Sequence, residues 1–142
     1  MSFYHLAPPV PSVDFVAEAK AAEPEMIRIR RTLHQRPELS YHEEATARLI
    51  SGKLTSMGIN VARGVGGTGV VGLLVGGKRG GVVALRADMD ALPIQELADF
   101  EFRSKVDGVM HACGHDTHVV PSCDVIIENS MSRCSGETRG GS

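Results

Sequence analysis

Residues 111–118 read HACGHDTH, which puts His111, Cys113, His115 and His118 within eight positions. A thiolate and neutral imidazoles are strong ligands for zinc and related divalent ions. Cys113 and His115 stand two apart, so in an extended segment both side chains leave the same face. His115 and His118 stand three apart, which aligns them if a helix starts near Gly114. Asp116, and His118 if it is not itself a ligand, then stand behind the ligands, where a carboxylate orients an imidazole. The stretch is neither a C-x-x-C pair nor H-E-x-x-H. The competing reading is a polar loop in which the cluster is accidental.

A second stretch, LRADMDALP (residues 85–93), follows an apolar run directly. Asp88 and Asp90 are two apart, which sets both carboxylates on one face if a strand persists through them. Carboxylates at the carboxyl end of a strand are common active-site placements in open α/β sheets. The alternative is a solvated turn before Pro93. GVGGTGVVG (residues 64–72) lacks the G-K-[ST] ending of a phosphate loop and opens no helix, so it reads as a glycine-rich hairpin. His34, Glu38, His42, Glu43 and Glu44 resemble an acid/base cluster, although helix-end and capping roles account for most of them.

These residues need elements to hold them. From Asp14, a candidate cap, Phe15, Ala19, Ala22, Met26, Ile29 and Leu33 recur at helical steps, with Pro24 dividing the helix and Pro37 ending it. Ser40 and Glu43 have capping-box spacing for a second helix to about Met57, with Ala45, Leu49, Leu54 and Met57 as its apolar face and Gly58 at its end. INVARGV, GVVGLLVG and GVVALRADMDALP then read as strands, the last two joined by a hairpin at Gly76–Gly81. Two helices followed by strands predict an α/β fold with helices covering a mixed sheet. Residues 1–13 read as a flexible arm, 14–120 as the folded part, and 121–142 as a disordered tail.

Composition narrows the function classes. A chain of 142 residues suits one domain, and 42% apolar with 23% charged residues is ordinary for a globular protein. Net charge is −2 and the only basic run is RIRR at residues 28–31, which argues against nucleic acid as a partner. No apolar run approaches the ~18 residues that a membrane span needs. The N-terminus has no secretory pattern, and three cysteines, Cys113, Cys123 and Cys134, suit a reducing cytoplasm better than a disulfide framework.

Taken together, LHQRPELSYHEEATARLI, VVALRADMDALPI and GVMHACGHDTHV, in this order and at these spacings, resemble one family. It is the hippurate hydrolase branch, with the indoleacetyl-amino-acid hydrolases, of the dinuclear zinc aminoacylase and carboxypeptidase superfamily. The resemblance runs from about Glu25 to Val119. It implies hydrolysis of the amide bond of N-acyl amino acids and the N-terminal part of a zinc-peptidase-like α/β domain. Cys113 and His115 match the family's first two metal ligands. Asp88 falls where related metallopeptidases place a histidine ligand, and Asp90 matches the aspartate that steers that ligand. The metal implied is divalent, with zinc favoured and manganese or cobalt as alternatives.

The sequence then departs from the family. The Glu-Glu pair that supplies the general base, two further ligand histidines and the lid domain have no counterpart here, and Pro121 stands where a helix should continue. The resemblance therefore implies a truncated chain, inactive alone, or one part of a split enzyme with a complementary C-terminal fragment. The reading from another class is a non-catalytic metal-binding or regulatory module that pairs with a full-length homologue.

Overall fold

Asp14 starts the first helix. Its carboxylate accepts from the amides of Val16 and Ala17 at 3.1 and 3.0 Å, satisfying donors that have no partner inside the helix. Helix α1 (Phe15–Gln35) stops short of Pro37 as its sequence predicts. It is not divided at Pro24, which lies inside one continuous helix. Pro24 is exposed, so water can reach the carbonyl that loses its amide partner. The computed structural model describes residues 14–76 and 82–123, with no side-chain description for 121–123. The N-terminal arm, most of the Gly76–Gly81 connection and the tail beyond Cys123 lie outside the described residues.

Helix α2 (Glu44–Ser56) has a different cap from the Ser40–Glu43 box that its spacing suggests. The Glu38 carboxylate reaches across the turn to accept from Ala45 and Thr46 amides at 3.0 and 2.8 Å. A full negative charge at a helix N-terminus is favoured by the aligned peptide dipoles. Glu43 is buried and accepts from the Thr68 hydroxyl instead, which pins the following hairpin to this helix end. The buried face is Thr46, Ala47, Ile50, Ser51 and Leu54. Of the expected face, Leu54 is buried, Leu49 and Met57 pack part-buried against the core, and Ala45 is exposed.

Strands β1 (Asn60–Val65) and β2 (Gly69–Leu73) form an antiparallel ribbon, with a register shift between Arg63 and Val65. A Cβ on Gly69 would overlap the Val65 carbonyl oxygen, so only glycine closes this hairpin. Among the described residues of the third expected strand, 81–93, only Ala91 and Leu92 form bridges, and 82–90 have no ladder partner. Val82 and Val83 are 92% and 87% exposed. A β-branched run becomes a strand only where a neighbouring strand takes its amides. Mixed pairing survives as two isolated bridges, Leu39 with Ala91 in parallel and Leu92 with Met110 antiparallel.

The core joins Ile29 and Leu33 of α1, Ile50 and Leu54 of α2, Ile59, and Val119 and Val120 of a third helix. That helix, α3 (His115–Cys123), runs through Pro121 instead of stopping before it. Among the described residues no helix is long and apolar enough to cross a membrane.

Two glycine substitutions should move stability in opposite directions. Gly69→Ala is expected to lose about 1–3 kcal/mol by forcing the hairpin apart. Gly52→Ala, mid-helix with nothing within 4 Å of the added Cβ, is expected to gain about 0.5–1 kcal/mol. Urea denaturation of both variants checks the pair.

Candidate functional site

The 111–118 segment turns at Gly114, whose φ of 83° lies in the left-handed region that glycine adopts without penalty. The Thr117 amide and hydroxyl both donate to the Gly114 carbonyl, at 2.9 and 2.6 Å. Helix α3 thus begins at His115, and its first turn aims successive side chains in different directions.

Cys113 is exposed and unbridged, with its Sγ 3.8 Å from the Asp90 carbonyl oxygen. His115 Nδ1 lies 2.9 Å from Asp90 Oδ1 and 3.1 Å from the Asp90 carbonyl. Both Asp90 atoms are acceptors, so Nδ1 carries a proton, and in the neutral ring Nε2 keeps its lone pair. That is the tautomer in which an imidazole ligates a metal through Nε2 with a carboxylate behind it. His118 is exposed, its ring centroid 6.0 Å from that of His115.

Asp88 does not join them. With no strand through 82–90, the two aspartates share no sheet face, and Asp88 Oδ1 pairs with Arg86 Nε at 2.9 Å on the surface. Among the described residues no group of three or more His, Cys, Asp and Glu side chains is placed to hold a metal ion. The donor types at Cys113 and His115 fit a divalent transition ion, and a third donor is not assembled with them.

Asp116 points inward, and the imidazole it orients is not the one its sequence position suggests. Its Oδ2 accepts from Arg30 Nε at 2.8 Å and faces His34 Nδ1 at 2.7 Å. The other face of His34 meets Glu96, with Nε2 3.1 Å from Oε1. Glu96 Oε2 accepts in turn from the Ser104 amide at 2.5 Å. Both nitrogens of His34 thus face carboxylate oxygens, and both contacts are satisfied together when each nitrogen bears a proton. Asp116, Glu96 and His34 are all buried. Two carboxylates, a guanidinium and a doubly protonated ring would balance in charge, which is how an interior tolerates ions. Phe100 and Phe102 wall the ring, each with its centroid 5.8 Å from that of His34, and Arg30 stacks over Phe102 at 5.0 Å.

Sequence reasoning placed His34 in a cluster with Glu38, His42, Glu43 and Glu44, and the structure separates them. Glu38 caps α2, Glu43 holds Thr68, Glu44 pairs with Arg48 at the surface, and His42 is exposed. The parts played by His34 and Glu96 were missed. The available signal was Arg30 and His34 one helical turn apart, beside the buried Leu33.

Burial opposes the charge on Glu96, but the Ser104 amide and His34 outweigh it and hold the carboxyl below its ordinary value. His111 is buried, and among the described residues neither its ring nitrogens nor Asp116 Oδ1 meet a hydrogen-bond partner. Burial pushes the His111 pKa down, with nearby His34 and His115 adding to the effect and Asp116 opposing it.

Residues 84–121 match the family model described as peptidase family M20/M25/M40. Over that segment the chain is similar to the M20 peptidase family. The chain is 57% identical over 103 residues to thermostable carboxypeptidase 2 of Saccharolobus solfataricus, covering 72% of this chain and 26% of that one. It is 52% identical to IAA-amino acid hydrolase ILR1-like 5 of Arabidopsis thaliana over 66% of this chain and 21% of the relative. It is 43% identical to hippurate hydrolase of Campylobacter jejuni over 75% of this chain and 28% of the relative. The chain therefore spans about a quarter of the length of these curated relatives. Among solved structures it resembles the Bacillus subtilis YXEP protein, described as a dinuclear metal binding peptidase from the M20 family. That match has a TM-score of 0.71 at 41% identity, over 78% of this chain and 32% of that one. The mixed α/β architecture is thus that of part of an M20 peptidase structure.

Acid should unfold this chain partly through Glu96. A carboxyl held below its ordinary value of 4.5 contributes stability above that pH, and the contribution is lost as pH falls through the folded value. Glu96→Gln is expected to flatten the decline in stability below about pH 4.5, as read by urea denaturation between pH 7 and 3. An unchanged acid limb in the variant would contradict this.

Proposed function

We propose that this chain carries part of the catalytic domain of a metal-dependent amide hydrolase acting on N-acyl amino acids, with residues 14–120 as that partial domain. The observation that carries the reading is the Asp90–His115 contact beside an exposed Cys113, two metal-seeking donors of which one is held in its ligating tautomer. Relatives named for hippurate and for IAA-amino acids support N-acyl amino acids as the substrate class, and the carboxypeptidases make peptide C-termini the nearest alternative. In this reading Cys113 and His115 are ligands and Asp90 orients His115. Asp116 supports the turn from behind, and Asp88 comes to the metal only if it leaves Arg86. A bound divalent ion, with zinc favoured over manganese or cobalt, would polarise the scissile carbonyl and acidify a water.

The residues in hand do the positioning and not the turnover. Two donors hold a catalytic ion weakly, since such sites use three or more protein ligands. Among the described residues no third His, Cys, Asp or Glu side chain joins Cys113 and His115 to hold a metal ion. The chain alone is therefore proposed to bind metal without hydrolysing substrate. A second reading, a non-catalytic module that pairs with a longer homologue, is favoured by the exposed Val82, Val83 and Leu85.

Titration with Co²⁺ while following the thiolate charge-transfer absorption tests the site. A band in the parent chain that disappears in Cys113→Ala is expected, with no hydrolysis of N-benzoylglycine or N-acetylmethionine under added zinc or manganese. Hydrolysis lost in Cys113→Ala would overturn the proposed inactivity. Absence of any thiolate band would overturn the metal site.

A further inference from the structure

We propose that His34 is a positioning residue that sets the geometry of the Cys113–His115 turn, through Asp116. Two chain segments meet at the Asp90–His115 contact, one running from Asp90 to Glu96 and the other from Cys113 to Asp116. His34, on α1, holds the far side of both, with Nδ1 on Asp116 and Nε2 on Glu96. A single buried ring thus fixes the separation of the two segments whose exposed ends carry Asp90 and His115.

The two branches are not equivalent. Asp116 directly follows His115 in the first turn of α3, so a shift of its carboxylate moves the backbone from which both donors project. Glu96 lies six residues beyond Asp90 and is also held by the Ser104 amide, so its segment has a second tether. Asp116 has Arg30 besides His34, but that guanidinium is partly exposed, at 32%, and leaves Oδ1 without a partner. The Nδ1 branch is accordingly the one that controls the turn.

Side-chain geometry separates the branches experimentally. An asparagine amide nitrogen falls near the Nδ1 position of histidine and a glutamine amide nitrogen near Nε2, and each amide donates there. His34→Asn thus keeps the bond to Asp116 and gives up Glu96. His34→Gln does the reverse. Asparagine is shorter than glutamine by one methylene and leaves the larger void, so a merely structural role predicts the larger loss in H34N.

The test is amide hydrogen exchange of Gly114 and Thr117 in the parent chain, H34N and H34Q, with urea denaturation for global stability. Protection in H34Q is expected to fall by about tenfold or more beyond its global loss, the scale of one charge-assisted hydrogen bond. H34N is expected to stay within a few-fold of the parent. Co²⁺ affinity, which alone rests on the proposed metal reading, is expected to drop about 10- to 100-fold in H34Q only. Equal losses in both variants, or losses that merely track global unfolding, would overturn the proposal. Glu96→Gln tests it with His34 in place: retained protection is expected, and a loss like that of H34Q would overturn the assignment to the Asp116 branch. The expected exchange pattern without a cobalt band in any form would keep the positioning role and overturn the metal reading.

Discussion

A carboxylate without access to water must be met by donors, and Asp116 is the most enclosed side chain of this kind, at 1% exposure. Its requirement organises the described structure. Arg30 and His34 answer it from one face of α1, a helical turn apart, which packs α1 against the start of α3. His34 then needs an acceptor for its second nitrogen, and Glu96 supplies it. Glu96 needs a donor for its second oxygen, and the Ser104 amide supplies that. Each link in the chain of contacts is met by the next, with Asp116 Oδ1 left unmet among the described residues. Removal of one partner of a buried ion pair costs about 3–5 kcal/mol, and Arg30 still meets Asp116 when His34 is gone.

The consequence for chemistry is a division of labour within four residues. Cys113 is exposed, His115 is half-buried with its Nδ1 fixed by Asp90, and Asp116 anchors the turn from inside. The left-handed bend at Gly114 allows this change of direction, since it ends the loop and starts α3 in one step. Donors held this way are preorganised on the protein side. The ordering entropy of the turn has already been met by the interior, so it does not have to be met on ligand binding.

Much of this was legible in the sequence, and the parts that were not have physical reasons. Helix α1 and its Asp14 cap follow from local spacing, as do the hairpin at residues 64–69 and a helix starting next to Gly114. The resemblance set Asp90 to steer a ligand at the position of Asp88, and the structure pairs it with His115 instead, 25 residues away, which no local spacing signals. The Ser40–Glu43 box was a fair local reading that lost to Glu38, whose longer reach across the turn depends on where Leu39 pairs with Ala91. The strand expected at residues 82–90 shows the limit from the other side. Its β-branched pattern is correct for a strand, but a strand also needs a neighbour, and none of the described residues provides one. His34 was read only as part of an acid/base cluster, because beyond Arg30 one turn away nothing local signals the carboxylates that meet it from 62 and 82 residues away.

The central claim is that His34 and Asp116 act as one unit in the interior, and a double-mutant cycle measures that coupling most directly. His34→Ala, Asp116→Ala and the double variant would be compared with the parent by urea denaturation. The account predicts a coupling energy of about 1–3 kcal/mol, with the double variant far less destabilised than the sum of the single ones. Additivity within about 0.5 kcal/mol would mean that the two residues are independent, and would contradict it.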